Sequence, residues 1–224
     1  MNDELSGPVA LSAVARRVLG VLVEKAKTTP DHYPLTINGI VTASNQKSNR
    51  DPKMNLQEHD VLTALDELRE VKAVREVQGS GRTVKYRHAA YEWMDIDGPQ
   101  SAVMTELLLR GPQTLGEIRT RASRMHPFAD INALQPVIEQ LCVKKLVEPM
   151  GPAGRGKLFM HTLYSSQEKQ YVSSRMEKQS LEESSDSRPA MAGNLAAVEK
   201  LVARIEEVTN RIDALEQRLS ELES

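Results

Sequence analysis

Aromatic side chains are scarce, with two Phe, one Trp and five Tyr in 224 residues. The cores must therefore be Leu, Ile, Val, Ala and Met, a composition that leans towards helix. A single cysteine, Cys142, excludes an internal disulfide framework and fits a reducing compartment. No apolar run approaches the roughly 20 residues that cross a bilayer. The first residues, MNDELSGPVA, lack the basic-then-apolar order of a signal peptide. A cytoplasmic protein without a membrane partner is expected. Strong net charge is also missing, at −2 overall. Gly7 to Tyr164 carries 21 Lys and Arg against 17 Asp and Glu, and Ser165 to Ser224 carries 8 against 12. Neither half has the strongly basic balance of an obvious nucleic-acid binder, so local placement has to decide.

What is present is one supersecondary unit written twice. Leu11, Ala15, Val18 and Leu22 mark a helix from Leu11 to about Ala26, capped by Ser12 and stopped by Thr28-Thr29-Pro30-Asp31. Thr36 caps a short second helix with Ile37, Ile40 and Val41 inward. A polar loop from Asn45 leads to a third helix, expected to begin at Asn55 with Glu58 completing a capping box. After Val71 the period changes to that of a hairpin, Val74–Val77 and Arg82–Arg87 about a Gly79-Ser80-Gly81 turn. The order recurs with a helix at Ser101–Leu109 and a second from the Thr114/Glu117 capping box to about Met125. A third carries Leu134, Val137, Ile138, Leu141 and Cys142; Pro136 suggests that it starts near Asn132 or is irregular there. A second hairpin surrounds Gly151–Gly156. The expected fold is mainly α with small β-hairpins (α+β), two tandem winged helix-turn-helix domains and a C-terminal coiled-coil helix. The boundaries are a tail at 1–10, domains at 11–94 and 99–164, a polar and partly disordered linker at 165–194, and the coil at 195–224.

The tail repeats apolar residues at alternating spacings of three and four. Val198, Ile205, Ile212 and Leu219 fall at one heptad position, and Leu201, Val208, Leu215 and Leu222 at the other. This pattern predicts a parallel homodimer, with Arg211–Glu216 and Arg218–Glu223 pairing across the seam.

Signs of catalysis are few, and no enzyme is expected. Gly151 to Lys157 fits the opening of a phosphate-binding loop, but Leu158 stands where Ser or Thr should reach magnesium, and a strand follows instead of a helix. The histidines, His32, His59, His88, His126 and His161, are scattered, and no zinc spacing results. Asp66-Glu67 and Glu182-Glu183 are solvated neighbours, and Cys142 lies on an apolar stripe. No cofactor and no metal are expected.

The stretches Tyr33–Thr36 and Asn45-Gln46-Lys47-Ser48-Asn49-Arg50-Asp51-Pro52, continuing through Met54-Asn55-Leu56, resemble the hallmark of the YceH-like family of bacterial proteins of unassigned function. Leu19–Lys25, Leu107–Thr114 and Arg119–Met125 extend the resemblance, which covers about Leu11 to Tyr164. It implies a tandem winged-helix fold and brings no activity with it.

Winged helices commonly place the third helix in the major groove and the wing on phosphates. Arg82, Lys85 and Arg87 on the first wing, Arg155 and Lys157 on the second, and Lys47, Arg50 and Lys53 in the loop could contact phosphate. Asn55 and Gln57 are the candidate base readers. Against this, the outward face of the first third helix carries Asp66 and Glu70. Two readings stand: a DNA-binding protein of the transcriptional-regulator kind, or a protein-interaction scaffold that binds no DNA. The Asn45–Pro52 loop has its own alternative, in which Asn45, Asn49 and Asp51 satisfy loop backbone and Arg50 pairs with a carboxylate.

Overall fold

The computed structural model describes residues 8–78, 83–151 and 156–175. The heptad residues Val198 to Leu222 lie outside the described residues, as do Arg82 and Arg155. The described residues as far as Ser173 form one compact unit. It is mixed α and β, with two small antiparallel sheets, compatible with winged-helix units.

Two helices run through its middle. α1, Ala13–Thr28, starts where the Ser12 side chain accepts from the Ala15 amide at 3.1 Å. Every residue from Ala15 to Glu24 is buried, because α5, Gly98–Arg110, packs along it and is buried from Gln100 to Leu109. Gly20 allows the close approach: a Cβ there would meet Leu109 Cδ2 at 3.0 Å and Leu108 Cβ at 3.2 Å.

Around each central helix the chain writes the same sequence of elements. The first series is α2 (Ile37–Ser44), α3 (Glu58–Glu70), β1 (Val74–Gln78) and β2 (Val84–His88). The short α4, Ala90–Met94, then buries Trp93 and Met94. The second series is β3 (Gln113–Thr114), α6 (Leu115–Ala122), α7 (Ile131–Val143), β4 (Val147–Met150) and β5 (Leu158–His161). β3 pairs with β5 through Gln113 and Phe159; in the first series a single bridge, Leu35 to Tyr86, holds the matching place.

From the third helix onward the described elements of the two series correspond in sequence position, 73 residues apart. Val74 faces His88, and Val147 faces His161. Lys72 and Lys145 both take left-handed backbone, at φ 61 and 58, and end the helices. Beside them Ala73 N–H donates to Leu68 O at 2.8 Å, and Leu146 N–H donates to Leu141 O at 2.9 Å. Such 6→1 closures let a helix turn sharply into a strand.

Several boundaries differ from the sequence expectation. α3 starts at Glu58 rather than Asn55, because Asn45 uses both ends of its amide on the Leu56 backbone and holds the chain extended there. The acidic group of the box is Asp60, which accepts from the Gln57 amide at 2.7 Å. α5 starts three residues early because Asp97 and Gln100 cap it reciprocally. α6 already ends at Ala122. α7 runs from Ile131, capped by Asp130, straight through Pro136, whose exposed position leaves the unpaired carbonyl to water. The start of the expected linker is helical over 166–175, because Ser165 and Glu168 cap it and Glu168 grips Arg16. No helix among the described residues is long and apolar enough to cross a membrane.

Candidate nucleic-acid interface

The first hairpin alternates strictly. Val74 and Tyr86 face the core, so Arg75, Val77, Lys85 and Arg87 share the outer face. In the ladder Arg75 lies directly opposite Arg87, and Lys85 opposite Val77. Arg75 and Arg87 are exposed and Lys85 is partly exposed. None of the three has an ion-pair partner among the described residues. The hairpin's own acid, Glu76, belongs to the other face and pairs with Arg69 at 3.6 Å. Lys85 and Arg87 were legible from alternation. Arg75 was not singled out, because only the register reveals that it faces Arg87.

The loop before α3 divides the remaining candidates. Lys47, Lys53, Asn55 and Gln57 are exposed. Arg50 is not available to any phosphate, which corrects that expectation. Its side chain is fully buried, its two terminal nitrogens clasp both oxygens of Glu24, and its Nε donates to Ala43 O at 3.0 Å. Burial alone would raise the Glu24 pKa, but the hydrogen bond and charge of Arg50, with the charge of Arg124, hold it below the usual carboxylate value. Arg124 joins Glu24 and also Glu106 of α5, the latter at 2.5 Å. Asn49 accepts from Arg110 at 2.6 Å, and the Asp51 amide donates to Leu109 O at 2.9 Å. Arg17, also buried, reaches Ser44 O and Pro52 O at 3.1 and 2.7 Å, and burial with the neighbouring Arg50 charge pulls it down to about 10. The Asn45–Pro52 loop is thus a seam that ties α1 to the end of α5.

The second hairpin has the same register and another surface. The positions of Arg75, Lys85 and Arg87 are taken by Glu148, Leu158 and Met160. Met160 is 1% exposed although it points to the outer face. Lys169 pairs with Glu148 at 2.6 Å and sets the helix of residues 166–175 against this side. Arg16 adds a two-pronged bond to Glu168 and lies 4.5 Å over the Tyr164 ring, which stacks on His161. Lys157, at the turn, lies 5.5 Å over the Phe159 ring and is partly buried.

Neither third helix supplies cations. α3 turns Glu58, His59, Asp66 and Glu70 outward, and its Arg69 is engaged by Asp66 and Glu76. α7 exposes Asn132, Gln135 and Glu139, with Ile131 and Val143. No group of three or more metal-ligating side chains gathers among the described residues.

A family model described as "protein of unknown function, DUF480" matches residues 11–152, which span both series of elements as far as β4. The chain belongs to this family. Proteins named UPF0502 protein are similar to this chain over most of its length. One from Rhodopirellula baltica is 54% identical over 207 residues, covering 89% of this chain and 87% of the relative. One from Geobacter sulfurreducens is 46% identical, covering 69% and 73%. One from Geotalea daltonii is 53% identical over 137 residues, 61% of this chain and 62% of the relative. The DUF480 match includes the whole Asn45–Pro52 seam and the first hairpin.

Proposed function

We propose that this DUF480 protein binds duplex DNA and is a binding protein, not an enzyme, with its doubled series acting as tandem winged-helix units. The observation that carries the proposal is the outer face of the first hairpin, with Arg75 and Arg87 exposed, Lys85 partly exposed, and no acid paired with them among the described residues. Cations held by strands and free of partners are suited to phosphate contact, which releases counterions and is salt-dependent. Lys47 and Lys53, in the loop before α3, are also exposed. The acidic face of α3 argues against deep insertion into the groove, since Asp66 and Glu70 would be carried towards phosphate.

The experiment is fluorescence anisotropy with a labelled random-sequence duplex at several salt concentrations. The expected result is a negative slope of log affinity against log salt, made shallower by about 1.8 when Lys85 and Arg87 are both replaced by Ala. Absence of binding at low salt would sink the proposal.

A scaffold for protein partners is the second reading. It is favoured by Ile131 and Val143 on α7, 44% and 82% exposed where a groove-reading helix would carry polar groups. Dimerisation through the heptads from Val198 to Leu222 is a further part of the proposal. A chain ending at Arg175 should sediment as a monomer where the full chain sediments as a dimer; a persisting dimer would refute the tail as the seam.

A further inference from the structure

We infer that Arg75 and Arg87 form a two-armed clamp for one backbone phosphate of duplex DNA, a site that rests on the DNA reading above. The two arginines are direct partners in the antiparallel ladder, on the exposed face. Directly opposed residues carry their Cβ atoms roughly 4.5–5.5 Å apart, and like charges placed so are destabilising. A hairpin with no use for the pair would place an acid beside it. This strand has an acid, Glu76, but it lies on the opposite face and serves Arg69.

The corresponding pair in the second hairpin is the control written into the same chain. Glu148 faces Met160 there, so no like-charge contact exists in the otherwise matching ladder. The backbone therefore does not require two cations at these positions. The first hairpin keeps them exposed and, among the described residues, without a carboxylate, at a cost in stability that an anion would remove. A phosphodiester is the matching ligand. Each guanidinium offers a planar fork of N–H donors, and the two forks can share the two unesterified oxygens of one phosphate. Lys85, two residues along the same face, then lies towards a neighbouring phosphate as a point charge.

The test uses the full chain and its Arg75→Thr variant, threonine being at home on an exposed strand. Three measurements are made. Without DNA in chloride buffer, the variant should melt about 1–3 °C higher, because the like-charge pair is gone. At matched ionic strength, inorganic phosphate should raise the melting temperature of the parent, relative to chloride, by more than it raises that of the variant, the shared part being the general kosmotropic effect of phosphate. With a random-sequence duplex, the variant should bind roughly two- to fivefold more weakly, and its salt slope should be shallower by about 0.9. Arg87→Thr should reproduce all three results.

A variant that melts lower, or that gains as much from phosphate as the parent does, overturns the clamp. Parent-like duplex affinity in Arg75→Thr, while Lys85→Ala weakens binding, also overturns it and leaves the DNA reading standing. If the parent binds no duplex yet keeps an Arg75-dependent phosphate effect, the anion is a free one and the DNA assignment falls.

Discussion

The two hairpins share a register, a left-handed lysine before the first strand and a histidine at the end of the second, yet their outer faces have opposite uses. In one, Arg75, Lys85 and Arg87 are open to solvent; in the other, Met160 is sealed off and Glu148 holds Lys169 of the following helix. The inner positions are alike because both must fill a core: Tyr86 and Phe159 correspond, as do Val74 and Val147. Packing preserves the scaffold, and the outward positions are free to diverge. A function for either hairpin must therefore be sought on the alternate residues, since the element order is common to both.

The largest expected effect breaks what joins the two series. Glu24→Gln leaves Arg50 without its buried partner and weakens the hold of Arg124, and should cost about 3–5 kcal/mol in urea unfolding. Two calorimetric transitions in place of one would show that the series then unfold separately. Exchanging residues between the hairpins comes next. Met160→Arg forces a charge under the helix of residues 166–175 and should cost about 3 kcal/mol or more, whereas Arg87→Met should stay within about 0.5 kcal/mol. Equal costs would refute the contrast between a covered and an open face.

The last comparison concerns the paired histidines and is read across pH rather than by substitution. Burial lowers His88 to about 4, with Lys27 and Arg87 assisting and Glu92 opposing. Burial likewise lowers His161 to about 3, with Arg16 assisting and Glu168 opposing. Because both folded values lie below the ordinary 6.5, the unfolded chain binds protons that the folded chain refuses. Stability should be full above pH 6.5 and fall below it, by up to about 1.4 kcal/mol per pH unit for each histidine. Glu168 does not disturb this window, since it is held at about 2 and contributes only as pH drops below its ordinary 4.5. Urea midpoints at pH 7.5, 6 and 5 measure the slope; a flat profile would contradict the burial of both rings.

Much of the fold was legible. Ser12, Thr36 and the Thr114–Glu117 box cap the helices assigned to them, and the strands expected from alternation, β1 with β2 and β4 with β5, pair antiparallel. The misplaced starts of α3 and α5 both follow from contacts that periodicity does not record: Asn45 holds Leu56 extended before the Gln57–Asp60 cap, and Asp97 with Gln100 caps α5. In the candidate site, Lys85 and Arg87 could be read from a strand in isolation. Arg75 needed the register, and the inward turn of Arg50 needed Glu24, 26 residues away, to share its burial. The loop motif held the alternative of a carboxylate partner, and that alternative is the one the structure realises for Arg50. Helix 166–175 was hidden by its polar composition, which conceals two well-placed ion pairs, Arg16–Glu168 and Lys169–Glu148.

One methylene's worth of space governs the relation between the series. At Gly20 the central helices approach until Leu108 and Leu109 touch the bare backbone, one turn before Glu24 enters the buried ion network. Alanine at this point would act as a wedge, levering α5 outward and lengthening the reach from Glu24 to Arg124. The absence of a single carbon atom thus works as a gauge block that sets how far apart the open and the covered hairpin stand.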